Sequence, residues 1–380
     1  MVQQHLSYKE MTDFGCFYTP QKFVDKLINM IKTNVHDYKE YTYLDSSCGY
    51  GSFLKSLYPL KTIGCDIDKQ AIEKAKLIYS NSEYYTLNAL HNFTRDSILI
   101  SKNEKLIIIG NPPYNDTTSK VKNEIKKSEP CVIDDDIKTR DLGISFLLSY
   151  TKLNPDYVAV LHPLSYMIKK ANFELLKPFY SRYNLIDHCI MSSQEFSMTS
   201  KTKGFPIIIA LYKRSSDGLK YNDVLRMNFI TTEDKCFNLK HDYIKNYISK
   251  YPSKYKKYNS NEDILFFTMR DIHALNRSRT CVEEWSENSI IIDKNKFAYY
   301  CYVDVFKEYI GRLPYYYGNC DVFINNNDFI KIKDVFITKS IEKHPWLKSK
   351  IEYNENYNFV LIEDYFNKLF NTEGAKVYVY

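Results

Sequence analysis

The residues with the clearest chemical potential form the tetrapeptide Asn111-Pro112-Pro113-Tyr114, which directly follows the apolar run Leu106–Gly110. Such a run predicts a buried strand, and ligands of open α/β sheets bind beyond the carboxyl ends of strands. The two prolines restrict the backbone, so they fix where the Asn111 amide and the Pro112 carbonyl point. Two acceptor oxygens held in this way can take both hydrogens of a delocalised amine and direct its lone pair at an electrophile.

A second group of residues predicts a nucleoside site. Gly49 and Gly51 lie between a predicted strand ending at Asp45 and a predicted short helix over 52–58, and glycines there let the backbone approach a ligand closely. Asp66 ends the next predicted strand, roughly 20 residues after Asp45, which is the spacing at which an acidic residue receives ribose hydroxyls. The third glycine of the dinucleotide fingerprint and the lysine of a P-loop are both missing. The sequence therefore favours a nucleoside without a pyrophosphate.

Alternating strand and helix patterns position these residues. A helix is predicted after Thr19 as its N-cap, with Pro20 at the first helical position and apolar residues on one face. Asp68 is predicted to cap a second helix. Further strands are predicted over 157–161 and 205–212. The pattern predicts a doubly wound, mostly parallel α/β sheet within residues 1–215, followed by a smaller, irregular α+β domain over 216–380.

Composition excludes several classes of protein. Apolar residues make up 44% of the 380 residues and charged residues 26%, which is typical of a globular protein and not of a disordered or fibrous one. No apolar run reaches the length that spans a bilayer, and the first residues lack a secretory pattern, so we expect a cytoplasmic protein without a membrane partner. The net charge of +6 and the 35 tyrosines suit a polyanionic partner, although AT-rich coding sequence also produces this bias.

The nine cysteines are scattered singly, with no C-x-x-C pair and no histidine at a metal-ligand spacing beside any of them. We therefore expect neither a disulfide framework nor a metal site. His162, directly after the predicted strand over 157–161, is expected to be structural.

The order of four motifs resembles that of the amino-methylating DNA methyltransferases, which use S-adenosylmethionine. These motifs are Phe14-Gly15-Cys16-Phe17-Tyr18-Thr19-Pro20, the segment D-x-x-C-G-x-G-x-F from Asp45, the segment G-C-D-I-D from Gly64, and the N-P-P-Y tetrapeptide. The resemblance covers about residues 14–212. It implies a Rossmann-like methyltransferase sheet, S-adenosylmethionine as cofactor and double-stranded DNA as partner.

The resemblance also implies roles for individual residues. The methyl group would go to N6 of a flipped-out adenine at Asn111, Pro112, Pro113 and Tyr114, with Tyr114 stacking on the base. Phe196 would cover the other face of the base, with Phe205 as a competitor for that role. The implied cofactor pocket consists of Phe17, Tyr18, Thr19, Pro20, Asp45, Ser47, Cys48, Gly49, Gly51, Asp66, Ile67 and Asn88.

The region from residue 216 is expected to be the target-recognition domain. Its candidate DNA contacts are Arg270, Arg277, Arg279, Lys254, Lys256 and Lys257. We expect a monomer that serves as the modification part of a restriction–modification system, with any cognate nuclease on a separate chain.

Several alternatives remain open from the sequence. N4-cytosine methylation uses the same geometry, although that group usually carries serine in place of Asn111. Enzymes that methylate a glutamine side chain of a release factor also carry N-P-P-Y, but they lack the F-Y-T-P element and a large C-terminal domain. A DNA-binding subunit with an inactive pocket is a fourth reading. Pro130-Cys131 resembles the nucleophilic dipeptide of C5-cytosine methyltransferases. It lies about twenty residues beyond the end of the predicted strand over 106–110, where that dipeptide would be expected.

Overall fold

The computed structural model describes residues 19–114, 132–196, 204–253, 258–259 and 262–374. These residues divide into two compact units, with the boundary between Asp234 and Lys235. The sequence predicts a boundary earlier, after residue 215. The difference arises because the chain beyond residue 215 returns to the first unit, where the Thr232 amide donates a 2.8 Å hydrogen bond to the Ile190 carbonyl.

The first unit is built around a seven-stranded sheet. Its strands are β1 Thr42–Asp45, β2 Thr62–Asp66, β3 Glu83–Thr86, β4 Leu106–Gly110, β5 Tyr157–Pro163, β6 Tyr183–Ser192 and β7 Pro206–Arg214, and a short β8 spans Asn228–Ile230. The order across the sheet is β3-β2-β1-β4-β5-β7-β6. All pairings are parallel except those of β7, which is antiparallel to both of its neighbours. The predicted doubly wound, mostly parallel Rossmann-like α/β sheet is therefore confirmed.

Helices connect these strands. They are α1 Gln21–Asn34, α2 Ser52–Lys55, α3 Lys69–Ile78, α4 Leu142–Leu153, α5 Ser165–Ile168, α6 Lys170–Leu175, α7 Lys177–Tyr180 and α8 Tyr221–Arg226. The predicted apolar face of α1 is buried in the main core of the unit, together with residues of β5, β6 and β7. Burying this face fixes α1 on the sheet, because removing apolar area from water stabilises by roughly 25 cal/mol per Å².

Helix starts were predicted with mixed success. Asp68 caps α3 as expected, accepting hydrogen bonds from the amides of Gln70 and Ala71 at 2.8 and 3.3 Å. The predicted cap of α1 is wrong, because Pro20 occupies the N-cap position and the helix begins at Gln21 without a side-chain cap. The Thr19 hydroxyl is therefore available for another partner.

The direction of chain travel across the sheet reverses between β1 and β4. From β1 the chain proceeds outward through β2 and β3, whereas β4 and β5 lie on the opposite side of β1. Leu44 pairs with Ile108, so the carboxyl ends of the two strands lie at the same level. A reversal of this kind opens a crevice at the carboxyl edge, where ligands of such sheets bind.

The second unit has the irregular α+β character that the sequence predicts. Its strands are β9 Cys236–Asn238, β10 Leu265–Phe267, β11 Cys281–Val282 and β12 Ser289–Ile291, of which the last three form an antiparallel sheet of order β11-β10-β12. Its helices are α9 Ile272–Arg277, α10 Phe297–Tyr309, α11 Asn326–Lys331, α12 Lys333–Lys343 and α13 Val360–Gly374. Tyrosine and phenylalanine rings of α10, α12 and α13 pack together in its core.

Within the described ranges, no helix combines the length and the apolar character needed to cross a bilayer. The same residues contain no group of three or more histidine, cysteine, aspartate or glutamate side chains suited to hold a metal ion.

Candidate active site

The site begins where β1 and β4 end side by side. Asp45 is the last residue of β1 and Gly110 the last of β4, and the Asp45 carboxyl lies against the Gly110 backbone. A Cβ atom at Gly110 would be 2.7 Å from Asp45 Oδ1, and Gly110 has a φ of +152°. Only glycine fits this position without displacing a neighbour. The pairing brings the predicted cofactor residue Asp45 next to the start of the N-P-P-Y tetrapeptide.

The glycine turn after β1 is tied to the end of β2. Gly49 and Gly51 have φ angles of 51° and 77°, which glycine adopts without strain. The Gly49 amide donates to Asp66 Oδ2 at 2.8 Å, and the Cys48 amide donates to the Cys65 carbonyl at 2.9 Å. Asp66 thus accepts a bond from the turn, and its Oδ1 accepts from the Asp68 amide at 2.9 Å. Each carboxylate oxygen keeps capacity for a further donor.

Two carboxyl groups at this turn have perturbed acidity. Burial raises the pKa of Asp45 to about 8. One hydrogen bond, donated by the Ser47 amide at 3.1 Å, lowers the pKa but does not offset the effect of burial. Burial also raises the pKa of Asp66, although the Asp68 and Gly49 amides act in the opposite direction. The buried Ser47 hydroxyl oxygen has no hydrogen-bond partner among the described residues. A strongly perturbed carboxyl beside an unpartnered buried hydroxyl is typical of a ligand site.

The Asn111 side chain is held from both ends. Its Nδ2 donates to Thr19 Oγ1 at 3.0 Å, and the Tyr114 hydroxyl donates to its Oδ1 at 2.9 Å. Thr19 is 5% exposed, so little water competes for the first bond. Thr19 of the F-Y-T-P element, far from the N-P-P-Y tetrapeptide in sequence, therefore meets it at the Asn111 amide.

The tetrapeptide rests on the start of α4. Gly143 lies so close that a Cβ there would be 2.9 Å from Tyr114 Cβ. The Asp141 carboxylate caps α4 by accepting from the Gly143 amide at 2.9 Å, and it also accepts the Tyr166 hydroxyl hydrogen. Sequence reasoning missed this support and the role of Gly110. A glycine within an apolar strand, as at Gly110, is the signal that indicates close packing there.

The thiols near the turn are poor nucleophiles. Burial raises the pKa of Cys48 and of Cys65, so both remain protonated at neutral pH. Pro130-Cys131 lies outside the described residues.

His162 is structural, as predicted. Its Nδ1 donates to the Pro163 carbonyl at 2.9 Å, its Nε2 lies 2.8 Å from the Tyr212 hydroxyl, and burial lowers its pKa to about 4. The ring is therefore neutral and bonded on both nitrogens.

Other predicted cofactor residues differ in their surroundings. Ile67, directly after Asp66, is 59% exposed, which is unusual for an isoleucine beside a buried turn. Asn88 is engaged at both ends of its amide, because Nδ2 donates to the Val132 carbonyl at 2.7 Å and Oδ1 accepts from the Leu90 amide at 3.0 Å. Phe17 and Tyr18 lie outside the described residues.

The two candidate base-stacking phenylalanines also differ. Phe196 is 2% exposed and belongs to the main core, whereas Phe205 is half-buried at the edge of the same cluster. Which ring would face a base stays a prediction, and the exposure of Phe205 favours that residue.

The predicted DNA-contacting arginines lie in the second unit around α9. Arg270, Arg277 and Arg279 are exposed, and the Arg277 guanidinium is hydrogen-bonded to His273. Lys254, Lys256 and Lys257 lie outside the described residues. Exposed guanidinium groups can reach base edges or phosphates, as the predicted DNA contacts require.

Comparisons with known proteins find similarity of fold alone. No protein-family model and no curated protein match the chain. Solved structures that are similar include a putative class I S-adenosylmethionine-dependent methyltransferase from Listeria monocytogenes, with 14% identity, a TM-score of 0.38, and coverage of 58% of this chain and 72% of that one. The type I restriction-modification system methyltransferase subunit from Streptococcus thermophilus has 13% identity and a TM-score of 0.39, covering 77% of this chain and 53% of the other.

A third similar structure is the N-methyltransferase NodS from Bradyrhizobium japonicum, in complex with S-adenosyl-L-homocysteine. It has 10% identity and a TM-score of 0.33, and the match covers 55% of this chain and 97% of that one. All three of these similar structures are methyltransferases; one is described as S-adenosylmethionine-dependent and another holds S-adenosyl-L-homocysteine. Because identity and TM-score are low throughout, the sheet order and the geometry at Asp45 and Asn111 have to support any function assigned to this chain.

Proposed function

We propose that this protein is a site-specific DNA methyltransferase that transfers the methyl group of S-adenosylmethionine to N6 of an adenine flipped out of double-stranded DNA. One observation supports this proposal above all others. At the point where the sheet reverses direction, a buried acidic glycine turn lies beside an asparagine amide that is held between Thr19 and Tyr114. In this proposal, the nucleoside-binding residues and the amine-binding residues lie side by side at one edge of the sheet.

The residues of the glycine turn fit the proposed cofactor. Asp45 and the unpartnered Ser47 hydroxyl would bind the ammonium end of its methionine, and Asp66 would accept the ribose hydroxyls. Exposed Ile67 would cover one face of the adenine ring, which explains an apolar side chain left in solvent. Because both ends of the Asn88 amide are bonded within the protein, a contact from Asn88 to the adenine would have to be an additional one.

The N-P-P-Y tetrapeptide would activate the target amine. S-adenosylmethionine, when bound, supplies a methyl group on a sulfonium, and the electrons of the broken C–S bond stay on sulfur. Asn111 Oδ1 and the Pro112 carbonyl accept the two N–H hydrogens of the amine, which frees its lone pair to form the N–C bond. Neither residue can remove a proton, so the extra proton leaves to solvent after the transfer. Positioning and electrostatics would supply most of the rate.

Flipping a base out of the helix requires a surface on which it can stack. Tyr114 is half-buried beside Asn111 and provides an aromatic ring at that position. Stacking and hydrogen bonds must offset the few kcal/mol needed to extrude the base. Phe205, which is half-buried whereas Phe196 is buried, is the better placed of the two phenylalanines to cover the opposite face.

The second unit would provide target recognition. Its exposed Arg270, Arg277 and Arg279 are suited to guanine edges or phosphates, and the three lysines from Lys254 to Lys257 would add phosphate contacts. In this proposal the protein acts as a monomer in the modification half of a restriction–modification system, with a nuclease supplied by another chain.

The test is to express the gene in a host free of DNA methylation and to map modified bases by single-molecule sequencing. The expected result is N6-methyladenine at one short sequence motif. The Asn111→Ala variant should abolish the modification but still bind S-adenosylmethionine. Asn34→Ala should have no effect, because Asn34 is a half-buried asparagine bonded to Met30 and Asp187 away from the site.

Other outcomes would contradict the proposal in distinct ways. N4-methylcytosine would replace adenine by cytosine as the target. Unmodified DNA, together with methyl transfer to a release-factor glutamine, would change the substrate class. Cofactor binding without transfer to either substrate would identify an inactive DNA-binding subunit.

A further inference from the structure

We propose that Thr19 is a positioning residue for the transfer reaction, because its side chain fixes the Asn111 amide with the oxygen directed at the target amine. This inference rests on the proposed function and adds a residue to its machinery. The evidence is the 3.0 Å bond from Asn111 Nδ2 to Thr19 Oγ1, in a place where Thr19 is 5% exposed.

The Asn111 amide has an acceptor end, Oδ1, and a donor end, Nδ2, and only the acceptor end can bind the hydrogens of an amine. If Nδ2 faced the target, its hydrogens would oppose the amine hydrogens, and the lone pair would not be freed. Rotation of the amide by half a turn exchanges the two ends at little steric cost. The bond from Nδ2 to the Thr19 hydroxyl restrains this rotation, and in the structure it leaves Oδ1 on the substrate side, where the Tyr114 hydroxyl donates to it.

Thr19 is anchored firmly enough for this task. Pro20 follows it directly, and α1 then begins at Gln21 with its apolar face buried in the main core. Threonine is also stiff at χ1, because two heavy atoms branch from its Cβ. On the other side, Gly110 and the two prolines restrict Asn111. Two restrained backbone segments thus meet through one hydrogen bond of 3.0 Å.

A purely structural role for the hydroxyl is less well supported. Threonine before a helix usually caps it, but the N-cap here is Pro20, and no side chain caps α1. The bond to Asn111 is the one hydrogen bond that the Thr19 side chain makes within the described residues. The hydroxyl therefore contributes to the site and not to the helix end.

The test compares Thr19→Val, which keeps the shape and removes the hydroxyl, with Thr19→Ser, which keeps the hydroxyl. Thr62→Val is the matched control, since Thr62 is 2% exposed and bonded to Ser82 in the same unit, away from the site. We expect Thr19→Val to lower kcat for DNA methylation by about 10- to 100-fold, as for a small displacement of a reacting group. KM for DNA and the cofactor Kd should stay near the wild-type values, and Thr19→Ser should recover most of kcat.

Two kinetic results would overturn the inference. Thr19→Val could match Thr62→Val in kcat, which would show that the hydroxyl does not position Asn111. Alternatively, Thr19→Val could raise the Kd for the cofactor and leave kcat unchanged, which would assign Thr19 to cofactor binding alone.

A second readout does not depend on activity. In protein labelled with ¹⁵N-asparagine, the side-chain NH₂ signal of Asn111 is identified by its loss in Asn111→Ala. Thr19→Val should shift this signal and Thr19→Ser should largely preserve it, while Thr62→Val leaves it in place. An unchanged signal in Thr19→Val would overturn the contact. An inactive wild-type protein would instead contradict the proposed function, and the NMR comparison would still decide whether Thr19 holds the amide.

Discussion

The Asp45 carboxyl occupies the space that a side chain at Gly110 would need. A Cβ atom on Gly110 would be 2.7 Å from Asp45 Oδ1 and 3.2 Å from Asp45 Cγ. Both residues end neighbouring parallel strands, so this contact joins the glycine turn after β1 to the tetrapeptide after β4. The cofactor side and the amine side of the proposed site are therefore built on one contact and cannot shift independently.

Gly110→Ala should damage both halves of the site. The new methyl group would collide with Asp45, and alanine would also have to adopt a φ of +152°. We expect a loss of roughly 1–3 kcal/mol in the free energy of unfolding, together with loss of cofactor binding. Chemical unfolding and calorimetric titration would measure the two effects.

A double-mutant cycle separates the collision from the backbone strain. If the Asp45 carboxyl is the obstacle, Gly110→Ala should destabilise less in an Asp45→Ala background than in the wild type. Equal losses in the two backgrounds would show that the contact with Asp45 is unimportant.

Asp45→Asn should stabilise the protein without its cofactor. The pKa of Asp45 is about 8 in the folded chain and near the ordinary 3.8 when the chain is unfolded. Between about pH 4 and about pH 8 the Asp45 carboxyl is therefore protonated in the folded state and ionised in the unfolded state. Stability from this group is therefore lost as the pH rises from about 4 to about 8. The variant, which cannot ionise, should gain thermal stability over the wild type across that range. Scanning calorimetry at several pH values measures the difference, and a constant difference would contradict the shifted pKa.

Cofactor binding should depend on pH for the same reason. If the ammonium end of S-adenosylmethionine pairs with ionised Asp45, binding at pH 7 must release a proton, and affinity should rise up to about pH 8. Calorimetric titration in two buffers of different ionisation enthalpy measures the proton release directly. Binding without proton release would place the ammonium elsewhere.

The sequence predicts those parts of the site that depend on local pattern. Apolar runs identify β1, β2, β4, β5 and β7, and the ends of β1, β2 and β4 then place Asp45, Asp66 and Asn111 at one edge of the sheet. The cap at Asp68 follows from its own neighbours in the chain. Such features need only interactions between residues close in sequence or the fixed geometry of parallel strands.

Features that depend on distant contacts are not readable in this way. The pattern before α1 predicts that Thr19 caps the helix, whereas Thr19 bonds to Asn111, 92 residues away in the chain. Phe196 is buried in the core, which its local sequence does not reveal. The strand β6 is also missed, because burial does not alternate along it and its partner β7 follows only after a long connection. In each case tertiary packing overrides the local signal.

Tyr114 should have separable roles for its ring and its hydroxyl. The hydroxyl donates to Asn111 Oδ1, the atom proposed to accept from the target amine, so it competes with the substrate. Tyr114→Phe keeps the ring and should retain DNA methylation within a few-fold of the wild type. Tyr114→Ala removes the stacking surface, worth roughly 1–3 kcal/mol, and should lower kcat/KM about 10- to 100-fold. Equal losses in the two variants would show that the hydroxyl, and not the ring, matters.

Asp304 should determine the acid stability of the second unit. It is fully buried on α10 and accepts from Thr280 and Ser340, and it pairs with Lys343 and His344. Burial alone would raise its pKa, but the bond from His344 and the charge of Lys343 outweigh it and lower the pKa to about 2. Its contribution is therefore present above the ordinary value near 4 and is lost as the pH falls through 2.

Asp304→Asn should reduce the free energy of unfolding by about 3 kcal/mol at pH 7, because Lys343 loses a buried partner. The deficit should shrink between pH 4 and pH 2, where the wild-type carboxyl itself becomes protonated. The two tryptophans of the sequence, Trp285 and Trp346, both lie in the second unit, so their fluorescence during urea unfolding reports on it alone. Glu363→Gln, which affects an exposed pair with Arg312, should lower stability by less than about 1 kcal/mol. A deficit for Asp304→Asn no larger than this control would contradict the role of the buried carboxylate.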